Sequence, residues 1–139
     1  MEKTLVILLL LAGLCGCQQH NKSTSANAKV DARKAGAEAA RQLIERGDPL
    51  VLKEYPPLPY PPGHSIYTDL LKERCQVDWK LVRPGEVPEE LFIQEVQGWN
   101  VAIEAEIRKR HGPTIMDDLY SESQQLFKQQ RDNPGPPTP

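Results

Sequence analysis

Six prolines fall between Asp48 and Gly63, at positions 49, 56, 57, 59, 61 and 62, and nothing else constrains the fold of this chain as strongly. Each fixes φ at about −65° and lacks an N–H, so the segment cannot be a helix and cannot lie in the middle of a sheet. It is expected to run as polyproline II or extended chain over residues 48–64. Leu50, Leu52, Tyr55, Leu58 and Tyr60 alternate with the prolines. Their plainest use is as a strap, a stiff segment whose side chains cover the domain's own core. A functional use is also open. Pro56-Pro57-Leu58-Pro59 and Pro59-Tyr60-Pro61-Pro62 have the spacing that Pro-rich ligands present to aromatic grooves, which makes Tyr55, Leu58 and Tyr60 a candidate partner surface.

The strap divides one helical stretch from the rest. Before it, Val30, Ala32, Ala35, Gly36, Ala39, Ala40, Leu43 and Ile44 follow helical spacing, which predicts a helix over 28–47 with Gly47 as its stop. The apolar face is mostly small, so this helix has to approach a neighbour closely to bury much area. After the strap, Ser65 reads as the N-cap of a short helix over 65–75. Residues 76–82 alternate, with Val77, Trp79 and Leu81 on one side and Gln76, Asp78 and Lys80 on the other, the period of a half-buried strand.

The strongest helix is expected over 88–111. Phe92, Val96, Trp99, Ile103 and Ile107 form one stripe, Pro88, Glu89 and Glu90 suit its start, and Lys109 to Pro113 mark its end. The strand face Val77/Trp79/Leu81 and the last helix are expected to cover that stripe. Gly98 inside it costs about 1 kcal/mol relative to Ala and calls for a close neighbour, either the first helix around Gly36 and Ala40 or the strand around Trp79. Its alternative use is to open a ligand pocket in which Trp99 and Asn100 make contacts. Thr114 with Asp117 resembles a capping box for a last helix over 114–130, and 131–139 is expected to be a disordered tail. Together these elements predict a mainly α domain with a minimal β element over 28–130; a small α+β sandwich is the alternative. With one clear strand, a sheet would need help from Leu50–Lys53 or from another chain.

The candidate chemistry is thin. His20, His64 and His111 have no partners at metal-ligand spacing, Glu104 and Glu106 diverge on their helix, and there is no phosphate loop, so no cofactor, metal or catalytic set is expected. A formal net charge of −2 offers nothing that nucleic acid would select. If an enzyme is hidden here, Cys75 with His64 and Asp78 would be its members. Cys75 sits at the end of an apolar helix stripe and is expected to be buried rather than reactive.

The address is clearer than the chemistry. Lys3, the apolar run Leu5–Leu14 and a small residue have the layout of a secretory signal, and ten apolar residues are too short to span a bilayer. Leu14-Cys15-Gly16-Cys17 resembles the lipobox of bacterial lipoproteins, with Cys15 where Ala or Ser is commoner. The resemblance covers this segment alone. It implies a signal peptide over 1–16, acylation of Cys17, and a membrane-anchored protein of the bacterial cell envelope. Gln18 in place of the Asp that retains such proteins in the inner membrane favours the outer one. Residues 17–27, polar after Cys17, are expected to form a flexible tether. The working expectation is a lipid-anchored binding or structural domain that meets an envelope partner; the alternative is a small periplasmic hydrolase or thiol-dependent enzyme centred on Cys75.

Overall fold

The computed structural model describes residues 20–57 and 59–133, with side chains from residue 25 onward. Residues 1–19, on which the expected signal segment and Cys17 fall, Leu58 and residues 134–139 therefore lie outside the described residues. The order is α1 (His20–Glu45), β1 (Leu50–Glu54), α2 (His64–Cys75), β2 (Val77–Leu81), α3 (Glu89–His111) and α4 (Ile115–Asp132). The protein is mainly helical with a two-stranded parallel sheet, β1 beside β2. No described helix is long and apolar enough to cross a membrane.

The first stretch of the strap is a strand. β1 pairs with β2 from Leu50↔Val77 to Glu54↔Leu81, and α2 is the crossover that parallel strands require. Leu50 and Leu52 are buried on the face they share with Val77. The prolines begin again only after Glu54, so they leave this ladder intact. Beneath it lies the core, in which Leu71, Ile103, Ile107 and Leu119 are fully enclosed. Each such side chain contributes about 1.5–3 kcal/mol relative to exposure.

Helix ends follow their local signals in most places. Gly47, at φ 72°, closes α1 by a Schellman arrangement in which its N–H meets Ile44 O and the Asp48 N–H meets Leu43 O. Four basic residues fill the last turn of α3, where the negative dipole end lies. Several expectations need correction. α1 begins at His20, so residues 20–27 belong to the helix and not to a slack tether. The cap of α2 is Gly63, one residue before His64, and Ser65 lies inside the helix. Gln76 is not strand: at φ 57° it is the left-handed C-cap of α2, and its N–H bonds back to Lys72 O. Thr114 caps α4 without a side-chain bond to the backbone, because its hydroxyl donates to Asp118 Oδ2 at 2.9 Å instead. α4 also continues through Arg131 and Asp132.

The cover over α3 differs from expectation as well. α1 and β1 are its main neighbours, whereas Leu81 is 52% exposed and covers nothing. Gly36 and Gly98 explain the α1 contact. A Cβ on Gly98 would lie 1.9 Å from Arg33 O, and one on Gly36 would lie 2.0 Å from Glu95 O. Each glycine Cα–H therefore points at the other helix's carbonyl, three residues before the opposing glycine. Lys29 Nζ, in the first half of α1, meets Glu90 Oε2 at the start of α3 at 2.6 Å, while Ile44 and Ala105 share a hollow further along both helices, so the two run parallel.

Two stability changes follow. Gly98→Leu should cost about 3 kcal/mol or more, since backbone and not a movable side chain blocks the new group. Gln76→Gly should add about 1 kcal/mol by relieving the left-handed residue. Urea denaturation of each variant beside the wild type checks both.

Candidate functional site

Trp99 and Asn100 are brought to the outer edge of β1, and both are spent on it. The indole N–H of Trp99 donates to Val51 O at 2.7 Å. The side-chain amide of Asn100 takes the Lys53 N–H on its Oδ1 at 2.9 Å and donates from Nδ2 to Lys53 O at 2.7 Å. An amide that accepts from and donates to one residue imitates a neighbouring strand. Lys53 Nζ stands 3.4 Å above the centre of the Trp99 ring, and burial holds its pKa below the usual lysine value while Glu95 pulls it back up. The two residues proposed as ligand contacts thus close a sheet edge, which is a position where unpaired main-chain groups invite foreign strands. The signal for this was a polar Asn beside the Gly98-Trp99 pair in a helix interior; its target on β1 is set only by the fold.

Tyr55 and Tyr60 separate from that pair. Tyr55 donates its hydroxyl to Glu89 Oε1 at 2.8 Å and meets Phe92 edge-on, and the hydrogen bond raises its pKa. Tyr60 is 56% exposed and stacks on His64 at 4.3 Å. His64 in turn meets Trp79 edge-on at 5.2 Å, and the Trp79 indole donates to Glu54 Oε2 at 2.8 Å. These rings line a hollow of about 690 Å³ that opens beside β2, between Val77–Trp79, the Pro61-Pro62-Gly63 turn, the outer face of α2 and Phe127.

The main-chain pattern makes that hollow distinctive. Val82 N–H bonds to Glu54 O, and the parallel register then turns the N–H and C=O groups of Asp78 and Lys80 toward β1. The groups of Val77, Trp79 and Leu81 face the opposite way without a hydrogen-bond partner among the described residues; Val77 is covered at 1% exposure, and Leu81 is 52% exposed. β1 has its edge closed by α3. β2 does not.

Cys75 occupies a different place. It is 4% exposed, and burial pushes its thiol above the ordinary value with only Arg74 acting in the other direction. A nucleophilic thiol needs the reverse shift. His64 cannot serve it, since the two residues lie at opposite ends of α2, roughly 16 Å apart at 1.5 Å per residue. Asp78 is paired with Lys72 at 3.1 Å. His111 does line a hollow of about 540 Å³ together with Cys75, an approach that the fold creates and the sequence conceals, but it contributes nothing that lowers the thiol's pKa. Comparison with protein-family models, curated proteins and solved structures yields no match.

Two measurements bear on these assignments. Asn100→Ala should cost about 2 kcal/mol through its two lost bonds and should speed hydrogen exchange at the Lys53 amide; an unchanged exchange rate would contradict the clasp. Tyr67, edge-on to both Trp79 and Tyr120, has its hydroxyl pushed up to about 12, by burial first and then by Glu104. A tyrosine in an unfolded chain ionises near pH 10. The folded state therefore holds a proton that the unfolded state has shed, and stability falls as pH rises from 10 toward 12. Tyr67→Phe should lose less stability over that interval in denaturation midpoints.

Proposed function

We propose that this chain is a lipid-anchored protein of the bacterial cell envelope whose small domain works by binding. The anchor reading rests on Leu14-Cys15-Gly16-Cys17 at the end of the apolar run. Each buried methylene of an acyl chain contributes about 0.8 kcal/mol, so two or three chains on Cys17 hold effectively for good, where one would exchange. The outer membrane is the favoured site, on the strength of Gln18. α1 starts three positions after Cys17, which supports a domain carried on a short stiff arm close to the headgroups.

The observation that carries the binding half is the contrast between the two candidate surfaces. Cys75 is buried with a raised pKa, which disfavours the thiol-dependent alternative. The hollow beside β2 offers exposed Tyr60, the half-buried Trp79 and the main-chain groups of Trp79, which have no partner among the described residues. Such a surface suits an envelope protein partner.

Intact-mass spectrometry of the membrane-expressed protein beside Cys17→Ala tests the anchor. A species starting at Cys17 and heavier by acyl chains, absent from the variant, is expected. An unmodified full-length mass in both would overturn it. The binding half has its own test: in a Cys15→Ser, Cys17→Ser version Cys75 should resist thiol labelling until denaturant is added, and rapid labelling of the folded protein would revive the enzyme reading.

A further inference from the structure

We propose that the hollow beside β2 is a saccharide site, which takes a short β-linked oligosaccharide of gluco-configured sugars with one ring laid on the free face of Tyr60. The proposal rests on the reading of this hollow as a binding surface and names the chemistry that fills it; it does not depend on acylation of Cys17.

The walls set the form of the ligand. Val77 is 1% exposed, and the outer face of α2, the Pro61-Pro62-Gly63 turn and Phe127 frame the space, so no extended strand can lie along β2 there. A compact ligand can. The volume of about 690 Å³ falls within the range of roughly 300–1,000 Å³ that small-molecule sites occupy.

The ring sets one face of the ligand. Tyr60 gives one side to His64, stacked at 4.3 Å with the planes 14° apart, and is still 56% exposed, so its other side is free. An aromatic face carries negative charge density and draws positively polarised C–H groups. A gluco-configured pyranose holds its hydroxyls around the equator, which leaves both faces as flat patches of C–H matched to such a ring.

The polar groups decide the class. Trp79 turns an N–H and a C=O to the same side, away from β1, and neither has a partner among the described residues. Asp69, exposed on α2 at the wall of the hollow, has no ion pair among them either, whereas Lys72 is held by Asp78 at 3.1 Å and the Trp79 indole is given to Glu54. The site therefore asks for donors and acceptors together. A phosphate brings acceptors and would face Asp69 and Asp78. An ammonium ligand brings donors only, leaves the Trp79 N–H unmatched and would face Lys72. A Pro-rich segment offers carbonyls without N–H groups, so Asp69 and the Trp79 carbonyl would lose water and gain nothing. A sugar hydroxyl donates and accepts at once. Adjacent hydroxyls on one ring can take both main-chain groups of Trp79, as the Asn100 amide takes both groups of Lys53 across the sheet.

The test is titration of cellotetraose and of chitotetraose into the full chain, held in a detergent without a sugar headgroup and followed by tryptophan fluorescence. Saturable binding of at least one of them is expected, with a Kd in the millimolar range or tighter, together with slower hydrogen exchange at the Trp79 amide. Tyr60→Ala should weaken binding tenfold or more, Tyr60→Phe, which keeps the ring, should bind as the wild type does, and Asp69→Ala should weaken it severalfold. Both side chains are exposed, so unchanged urea midpoints are expected in all three variants. Failure of both sugars to bind, binding that survives Tyr60→Ala, or a Trp79 amide whose exchange is unaltered by bound sugar would each overturn the proposal. Those failures would leave a protein partner for the hollow and the acylated mass of the anchor untouched, so the two readings fall separately.

Discussion

Two parallel strands of five residues cannot stand alone in water, and everything else in this protein is arranged around that fact. The remedy is a pair of side chains on one helix. From α3, Trp99 takes Val51 O while Asn100 takes both main-chain groups of Lys53, so β1 is hydrogen-bonded on both sides although only one neighbour is a strand. That clasp fixes α3 beside the sheet, which in turn lets Ile103 and Ile107 reach the core under Leu50 and Leu52. α1 is then positioned by its backbone contact at Gly36 and Gly98, where no side chain intervenes.

The contrast between the two edges of the sheet organises the surface. One is sealed by groups that look, in isolation, like a ligand site. The other borders a hollow lined by a cluster of aromatic rings and a turn of prolines. Only the far end of the second edge, at Leu81, reaches solvent freely, since Val77 at its start is covered.

Much of the architecture was legible in the residues. The Phe92–Ile107 stripe, the basic stop before Gly112 and the need of Gly98 for a close neighbour rest on local periodicity and on the cost of glycine, and all three reappear in the structure. The short strand in the Pro-rich segment was half visible, because Leu50–Lys53 precedes the dense prolines and carries the right alternation. What stayed hidden depends on long-range placement. Gln76 adopts a left-handed turn usually left to glycine or asparagine, so no residue marked it. Leu81 shares the parity of Val77 yet projects beyond the core, since burial along a strand depends on what lies beneath each position and not on the period. The role of Asn100 was invisible for the same reason: its partner sits on an element far away in sequence.

The parallel contact between α1 and α3 also sets an order for folding. α1 carries a face of alanine and glycine that buries little by itself and is marginal without a neighbour. Its main partner lies beyond β1, α2 and β2 in the chain, and the clasp on β1 waits for the same helix. Sheet, edge and first helix thus share one late arrival. The close backbone contact of α1 waits for residues near Gly98, so the elements close together and not in sequence.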